Sequence, residues 1–194
     1  VRRGRGRIGA AALIVVVGAA GLIGCAREAP IVSRGSRTTV MTLDEQRSWV
    51  AGQLDLAVRA SGVSDGWYDS FDEALLWSAG STADRERLLN SLLPRGCDGF
   101  AGRLSVTLIN NDAPDPFAAA GRVRAFWESE GWKVTDIRSY SAGKEPYFRA
   151  DREGGAELAL EAAEGGIALE VASACSAHNT VTSWERYLDE SSEP

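Results

Sequence analysis

The sequence predicts an α+β domain in two layers, a mostly antiparallel sheet with helices packed on one of its faces. Three observations point there. Residues 43–60 and 116–130 carry apolar side chains at the three- and four-residue spacing of amphipathic helices. Residues 156–173 alternate apolar and polar side chains about a glycine turn, and shorter β-favouring runs lie at 104–109, 132–140 and 146–150. At 194 residues, 44% hydrophobic and 25% charged, the chain suits one globular domain and is too short for a large multidomain enzyme. A domain of this size buries about 70% of the surface its extended chain exposes, enough to fold without metals or a dense disulfide scaffold.

The first element stands apart from that domain. Arg2, Arg3, Arg5 and Arg7 precede an uncharged run of 17 residues, Ile8 to Gly24, which ends at Cys25. A basic start, an apolar stretch and a small-residue boundary are the regions of an export signal. A permanent span needs about 20 apolar residues, with about 17 the lower limit, and this run is rich in glycine, so cleavage is expected instead. Leu22-Ile23-Gly24-Cys25 resembles the lipobox of bacterial lipoproteins: an aliphatic residue, a small or aliphatic residue, a small residue, then cysteine. The resemblance implies that the Cys25 thiol receives a diacylglyceryl group and that cleavage just before it makes Cys25 the first mature residue. Residues 1–24 are then a signal peptide, 25–41 a lipidated N-terminus and tether, and 42–194 a single globular α+β domain.

Removing the leader changes the charge. The whole chain has 21 basic and 27 acidic side chains; the leader takes four arginines and no acid, which leaves a formal net charge of −10. That field disfavours nucleic acid and anionic headgroups, so no nucleic-acid partner is expected and attachment falls to acyl chains in membrane lipid. Each buried methylene contributes about 0.8 kcal/mol, and two chains anchor stably. Lys133 and Lys144 are the only lysines against 19 arginines. With the leader and cysteine pattern, this composition resembles small lipoproteins of high-GC Gram-positive bacteria, a resemblance that implies no catalytic residue.

Cys97 and Cys175 remain. Outside the membrane thiols oxidise, and an even remainder is what one disulfide requires. Neither belongs to a Cys-x-x-Cys pair, and with His178 the only histidine no metal site is expected.

Residues 26–41 lack sustained periodicity and read as the tether. Thr42-Leu43-Asp44-Glu45 has the spacing of a capping box, and Leu43, Val50, Leu54 and Val58 follow at helical spacing up to Gly62. Residues 66–71 fit either a loop or a strand, and 75–77 are too short to assign. Ser81 to Leu93 predicts a helix capped at Ser81, with Leu88, Leu89, Leu92 and Leu93 on its apolar face and Pro94 ending it. A strand at 104–109 leads into a turn whose Asp115 and Pro116 suit the N-cap and first helical position. Phe117, Ala120, Val123 and Trp127 mark the buried stripe of the next helix, which Gly131 stops. Strands at 132–140 and 146–150 follow, the first expected as the end of a right-handed crossover, locally parallel to 104–109. In the hairpin, Leu158, Leu160 and Ala162 face inward with Ile167, Leu169 and Val171, and Cys175 shares their parity. Val181, Trp184 and Leu188 form a last apolar pattern.

Chemical motifs are sparse. The chain has no phosphate-binding glycine loop, nucleophile elbow, paired-histidine metal motif or calcium loop. His178 near Ser176 suggests a base and a nucleophile, Asn110, Asn111, Asp112 and Asp115 a weak calcium site, Asp72-Glu73 and Asp189-Glu190 carboxylate pairs, and Trp67, Tyr68 and Phe71 an aromatic pocket. Each has an ordinary structural use as well: solvent-facing residue, turn and cap, solvated charge, core. The sequence therefore favours a noncatalytic binding or accessory module of the cell envelope, lipid-anchored on the outer face of the membrane, with an envelope protein or small ligand as partner and no cofactor. The alternative is a surface-tethered hydrolase whose site is assembled from scattered residues.

Overall fold

The computed structural model describes residues 38–183 apart from 79, 98–99, 139–144 and 153. Cys25, Trp184, Leu188 and the Asp189-Glu190 pair lie outside the described residues. Helix α1 (Leu43–Ser61) opens on the expected capping box: Thr42 accepts from the Glu45 amide, and the Glu45 carboxylate accepts from the Thr42 amide at 2.8 Å. It closes at Gly62, whose φ of 69° falls in the left-handed region that favours glycine. Strand β1 (Tyr68–Asp69) and helix α2 (Thr82–Ser91) come next, then β2 (Arg95–Gly96) and β3 (Gly102–Arg103). After them run β4 (Ser105–Asn110), α3 (Pro116–Ser129), β5 (Lys133–Asp136), β6 (Tyr147–Asp151), β7 (Glu157–Ala163), β8 (Gly166–Ala172) and the short α4 (Asn179–Thr182).

One sheet has six strands in the order β1-β4-β8-β7-β6-β5, every neighbouring pair antiparallel; β2 and β3 form a separate two-stranded ribbon. The α+β expectation is met. Helices α1 and α3 pack on each other and against one face of the sheet. Val50, Leu54, Ala120, Val123 and Trp127 from the helices meet Val106, Leu108, Leu158, Leu160, Leu169 and Val171 from the strands, all buried. The hairpin register is the one the alternation predicts: Leu160 opposes Leu169 and Leu158 opposes Val171, while Glu170 and Glu161 point to the other face. At the other end of β8, Gly166 cannot be replaced without movement, because a Cβ there would sit 2.4 Å from the Asn110 carbonyl oxygen.

Several expectations need correction. Strands β4 and β5 run in the same direction but are separated by β8, β7 and β6, so residues 104–109 have no parallel neighbour. The reason is apolar matching. Leu108 opposes Leu169 and Val106 opposes Val171, which draws β8 beside β4 and leaves β5 at the far edge. The α2 helix stops at Ser91, with Leu92 extended and Leu93 66% exposed, because a residue preceding proline is disfavoured in the helical region. Only Leu88 of its predicted apolar face is buried, and Ser81 makes no side-chain cap; its oxygen accepts from the Ser78 amide. Phe117, in the first turn of α3, is 36% exposed and stands off the buried stripe. Strand β5 covers Lys133–Asp136, followed by one more backbone bond from the Ile137 amide to the Tyr147 carbonyl at 2.9 Å, with residues 139–140 of the expected strand outside the described residues; Trp132 packs against Trp49 with ring centroids 6.5 Å apart. Thr39, expected in the tether, is already paired: its amide donates to the Cys175 carbonyl at 2.7 Å, and its carbonyl accepts from Ala177 at 3.1 Å.

Candidate functional site

The residues singled out in the sequence do not converge. Cys97 and Cys175 are joined as a disulfide, with Cα atoms 6.2 Å apart, and Cys175 is buried three residues beyond β8. Ser176 is fully buried and its hydroxyl donates to the Met41 carbonyl at 2.6 Å, while its oxygen accepts from the His178 amide. His178 caps α4: its Nδ1 accepts from the Thr180 amide at 3.2 Å. Both side chains thus hold backbone in place, the serine by tying down the N-terminal segment and the histidine by starting a helix. Asn110 is buried and bonds the Asp65 carbonyl and the Asp112 amide; Asn111 donates to the Tyr68 hydroxyl; Asp115 accepts from Ala118 as the cap of α3. Their oxygens serve turns and caps, and among the described residues no group of three His, Cys, Asp or Glu is placed to hold a metal ion. Asp72 accepts from the Ala74 amide in an exposed turn, so the Asp72-Glu73 pair faces solvent. Trp67 is buried and donates to the Val63 carbonyl, whereas Phe71 is 81% exposed, so Trp67, Tyr68 and Phe71 do not line one pocket.

A cleft forms elsewhere. The helical spacing of Asp55, Val58, Arg59 and Gly62 aligns them on one face over the last two turns of α1. The segment after β1 brings Trp77 and Ser78 against that face, held by the Trp77 amide donating to the Trp67 carbonyl at 2.8 Å. Arg85 reaches in from α2. Together with Val63 and Ser64 these residues enclose about 580 Å³, within the range of small-molecule sites.

Three side chains fix the wall of this cleft. One guanidinium nitrogen of Arg85 donates to both Asp55 oxygens at 2.7 Å, and Trp77 Nε1 donates to Asp55 Oδ1 at 3.2 Å. The Arg85 guanidinium carbon lies 4.3 Å from the centroid of the Trp77 ring, a cation-π contact. The charged partners keep 24% and 31% of their side-chain surface, so solvent screening holds the ion pair to about 1 kcal/mol. Arg59 at the rim has no carboxylate partner among the described residues. Apolar Val58 and Val63, a fixed charge pair and one free guanidinium suit binding of a small polar or anionic molecule; the lining holds no histidine or cysteine to act as base or nucleophile.

Sequence reasoning missed this cleft for identifiable reasons. Asp55 and Arg85 are 30 residues apart on different helices, and nothing local pairs them. Trp77 belongs to a segment too short to show periodicity. The only local signal was the position of Asp55 between Leu54 and Val58, at the edge of the apolar stripe of α1.

No protein-family profile matches the chain, and no curated protein matches it in sequence. Among solved structures the chain is similar to a DUF4853 family protein from Actinomyces odontolyticus. The TM-score is 0.43 and the identity 13%, over 74% of this chain and 75% of that one. At that identity and score the likeness carries no functional information.

Proposed function

We propose that the chain is a bacterial lipoprotein, held on the outer face of the cell membrane through acylated Cys25, whose domain is a noncatalytic binding or accessory module of the cell envelope. The observation that carries the binding role is the cleft between α1, Trp77 and Arg85, of about 580 Å³, walled by a charge pair and floored by valines. The leader supports the anchor: four arginines, an apolar run and Leu22-Ile23-Gly24-Cys25. Arginine-rich, lysine-poor composition supports a source among high-GC Gram-positive bacteria. The structural roles of Ser176 and His178 weigh against the hydrolase alternative, since a serine whose proton is committed to a carbonyl and a histidine committed to a helix cap are not a nucleophile and its base.

Three measurements test the reading. Metabolic labelling with a fatty-acid analogue should mark the wild-type chain and fail in Cys25→Ala; labelling that survives in the variant refutes the anchor. Envelope metabolites that bind the cleft should raise the melting temperature of the wild type, by about 2.7 kcal/mol of stability at a hundredfold excess over Kd, and not that of Ser64→Trp, whose exposed position lets the indole fill the mouth. Turnover of a chromogenic ester or glycoside that disappears in His178→Ala would overturn the noncatalytic assignment.

A further inference from the structure

We infer that the pole where the N-terminal segment joins the domain is a membrane-contacting surface, with Phe100, Val40 and Leu93 resting among the lipid headgroups. The inference rests on the reading that Cys25 is acylated. Thr39 forms a parallel bridge with Ser176, Ser176 an antiparallel bridge with Gly102, and Gly102 pairs with Gly96 across the β2-β3 ribbon. These four positions make a lateral row, stapled by the Cys97–Cys175 disulfide beside it. Around the row stand three large apolar side chains left in water: Phe100, 96% exposed, Val40, 80%, and Leu93, 66%. Val40 adjoins Thr39, Phe100 lies two residues before Gly102, and Leu93 lies two residues before Arg95 of β2. Isolated exposed apolar residues are ordinary, but three gathered at one end of a domain in a chain whose formal charge after residue 24 is −10 mark a surface that is covered in use.

The covering surface is lipid because of where the chain joins. Thirteen residues separate Cys25 from Thr39, so with Cys25 in the bilayer the junction stays within about 50 Å of it even at full extension. The rest of the domain is bounded only through this point, which makes the junction pole the one the tether presents to the bilayer. Arg95, exposed and without a carboxylate partner among the described residues, stands at the base of the ribbon, where its stem can lie along the apolar side chains and its head reach phosphate. Asp44 and Glu45 follow in the first turn of α1, so the contact depends on apolar side chains and not on attraction to anionic lipid.

The test is contact quenching on acylated protein reconstituted into vesicles of phosphatidylcholine or of the same lipid brominated in its upper acyl chain. Phe100→Trp adds an indole at an exposed position, so folding is not at stake. In brominated vesicles this variant should lose more emission than the wild type, by up to about one-seventh, the share of one tryptophan added to the native six. Glu164→Trp, in the exposed β7-β8 turn at the opposite end of β8, should lose no more than the wild type. If the protein floats with the vesicles and Phe100→Trp is quenched no more than the wild type, the contact is overturned and the anchor stands. Equal extra quenching at both sites overturns the orientation. A wild-type chain that does not float overturns both anchor and contact. Phe100→Trp left unquenched in a chain that sediments as a dimer assigns the pole to a second copy and likewise overturns the proposal.

Discussion

Truncating Leu169 to alanine tests the one-sided sheet at its centre. Leu169 is 1% exposed, lies in β8 between β4 and β7, and opposes Leu108 on one side and Leu160 on the other. Removing its three terminal carbons forfeits about 2.4 kcal/mol of transfer free energy at about 0.8 kcal/mol each, before any cavity term. Flanking strands held by two ladders cannot collapse fully into the gap, so a loss of about 3–4 kcal/mol is expected, inside the range of about 2–5 kcal/mol for buried leucines. For a domain of this size that lowers the melting temperature by roughly 6–15 °C. Glu170, the next residue, is half-buried on the opposite face and accepts one hydrogen bond from Ser105 Oγ at 3.1 Å. Glu170→Ala should therefore cost no more than about 1 kcal/mol. Urea titration of both variants under nonreducing conditions, with unchanged m values, gives the comparison directly. A larger loss in Glu170→Ala than in Leu169→Ala would refute the register and, with it, the assignment of the core face.

Breaking the Cys97–Cys175 bridge should also destabilise the domain. The bond closes a loop with a sequence separation of 78, for which the chain-entropy model gives at most about 4.5 kcal/mol. Native protein should be two hydrogens lighter than reduced protein by intact mass, and two free thiols in exported material would contradict the pairing. Acid should weaken the fold through particular carboxylates. The Thr42 amide and hydroxyl hold the Glu45 carboxyl below its ordinary value, and the Arg124 guanidinium does the same to Asp136. Because both values are depressed in the folded state, their contribution is fully present above the ordinary carboxylate range near pH 4 and is lost as pH falls through the lower folded values. Glu45→Gln, which keeps an acceptor oxygen but does not titrate, should reduce the acid-side loss of melting temperature; an unchanged acid slope would show that the capping box does not couple to protonation.

Legibility in the sequence followed the range of the forces involved. The α1 capping box, the Asp115-Pro116 start of α3 and the alternation of Leu158 to Ala162 were readable because each is set by contacts within a few residues. The cysteine pairing was readable by parity of count. Strand order was not, since the choice between β5 and β8 as the partner of β4 depends on which apolar face matches across the sheet, as Leu108 does with Leu169. The end of α2 was misjudged by weighting the leucines at 92 and 93 over the restriction that Pro94 imposes on its predecessor. Tertiary pairing of Asp55 with Arg85 left no local trace beyond the place of Asp55 at the edge of the α1 stripe, which names no partner, so the cleft became visible only when the helices were placed side by side.

The junction at Thr39 has a mechanical consequence. Force applied along the N-terminal segment enters the domain at Thr39, whose two backbone bonds with Cys175 and Ala177 lie in a parallel bridge and are backed by its hydroxyl donating to the same Cys175 carbonyl at 3.1 Å, so tension along the strand shears all three together instead of peeling them one at a time. The Met41 carbonyl, gripped by Ser176, adds a fourth bond before the pull reaches α1. Should these yield, the covalent link from Cys175 to Cys97 still withholds the intervening chain, shortening the extension by roughly 260–280 Å at about 3.3–3.6 Å for each of 78 residues. Most of the strands, from β3 to β8, thus lie inside a loop that a force on the tether cannot unravel while the bridge is oxidised.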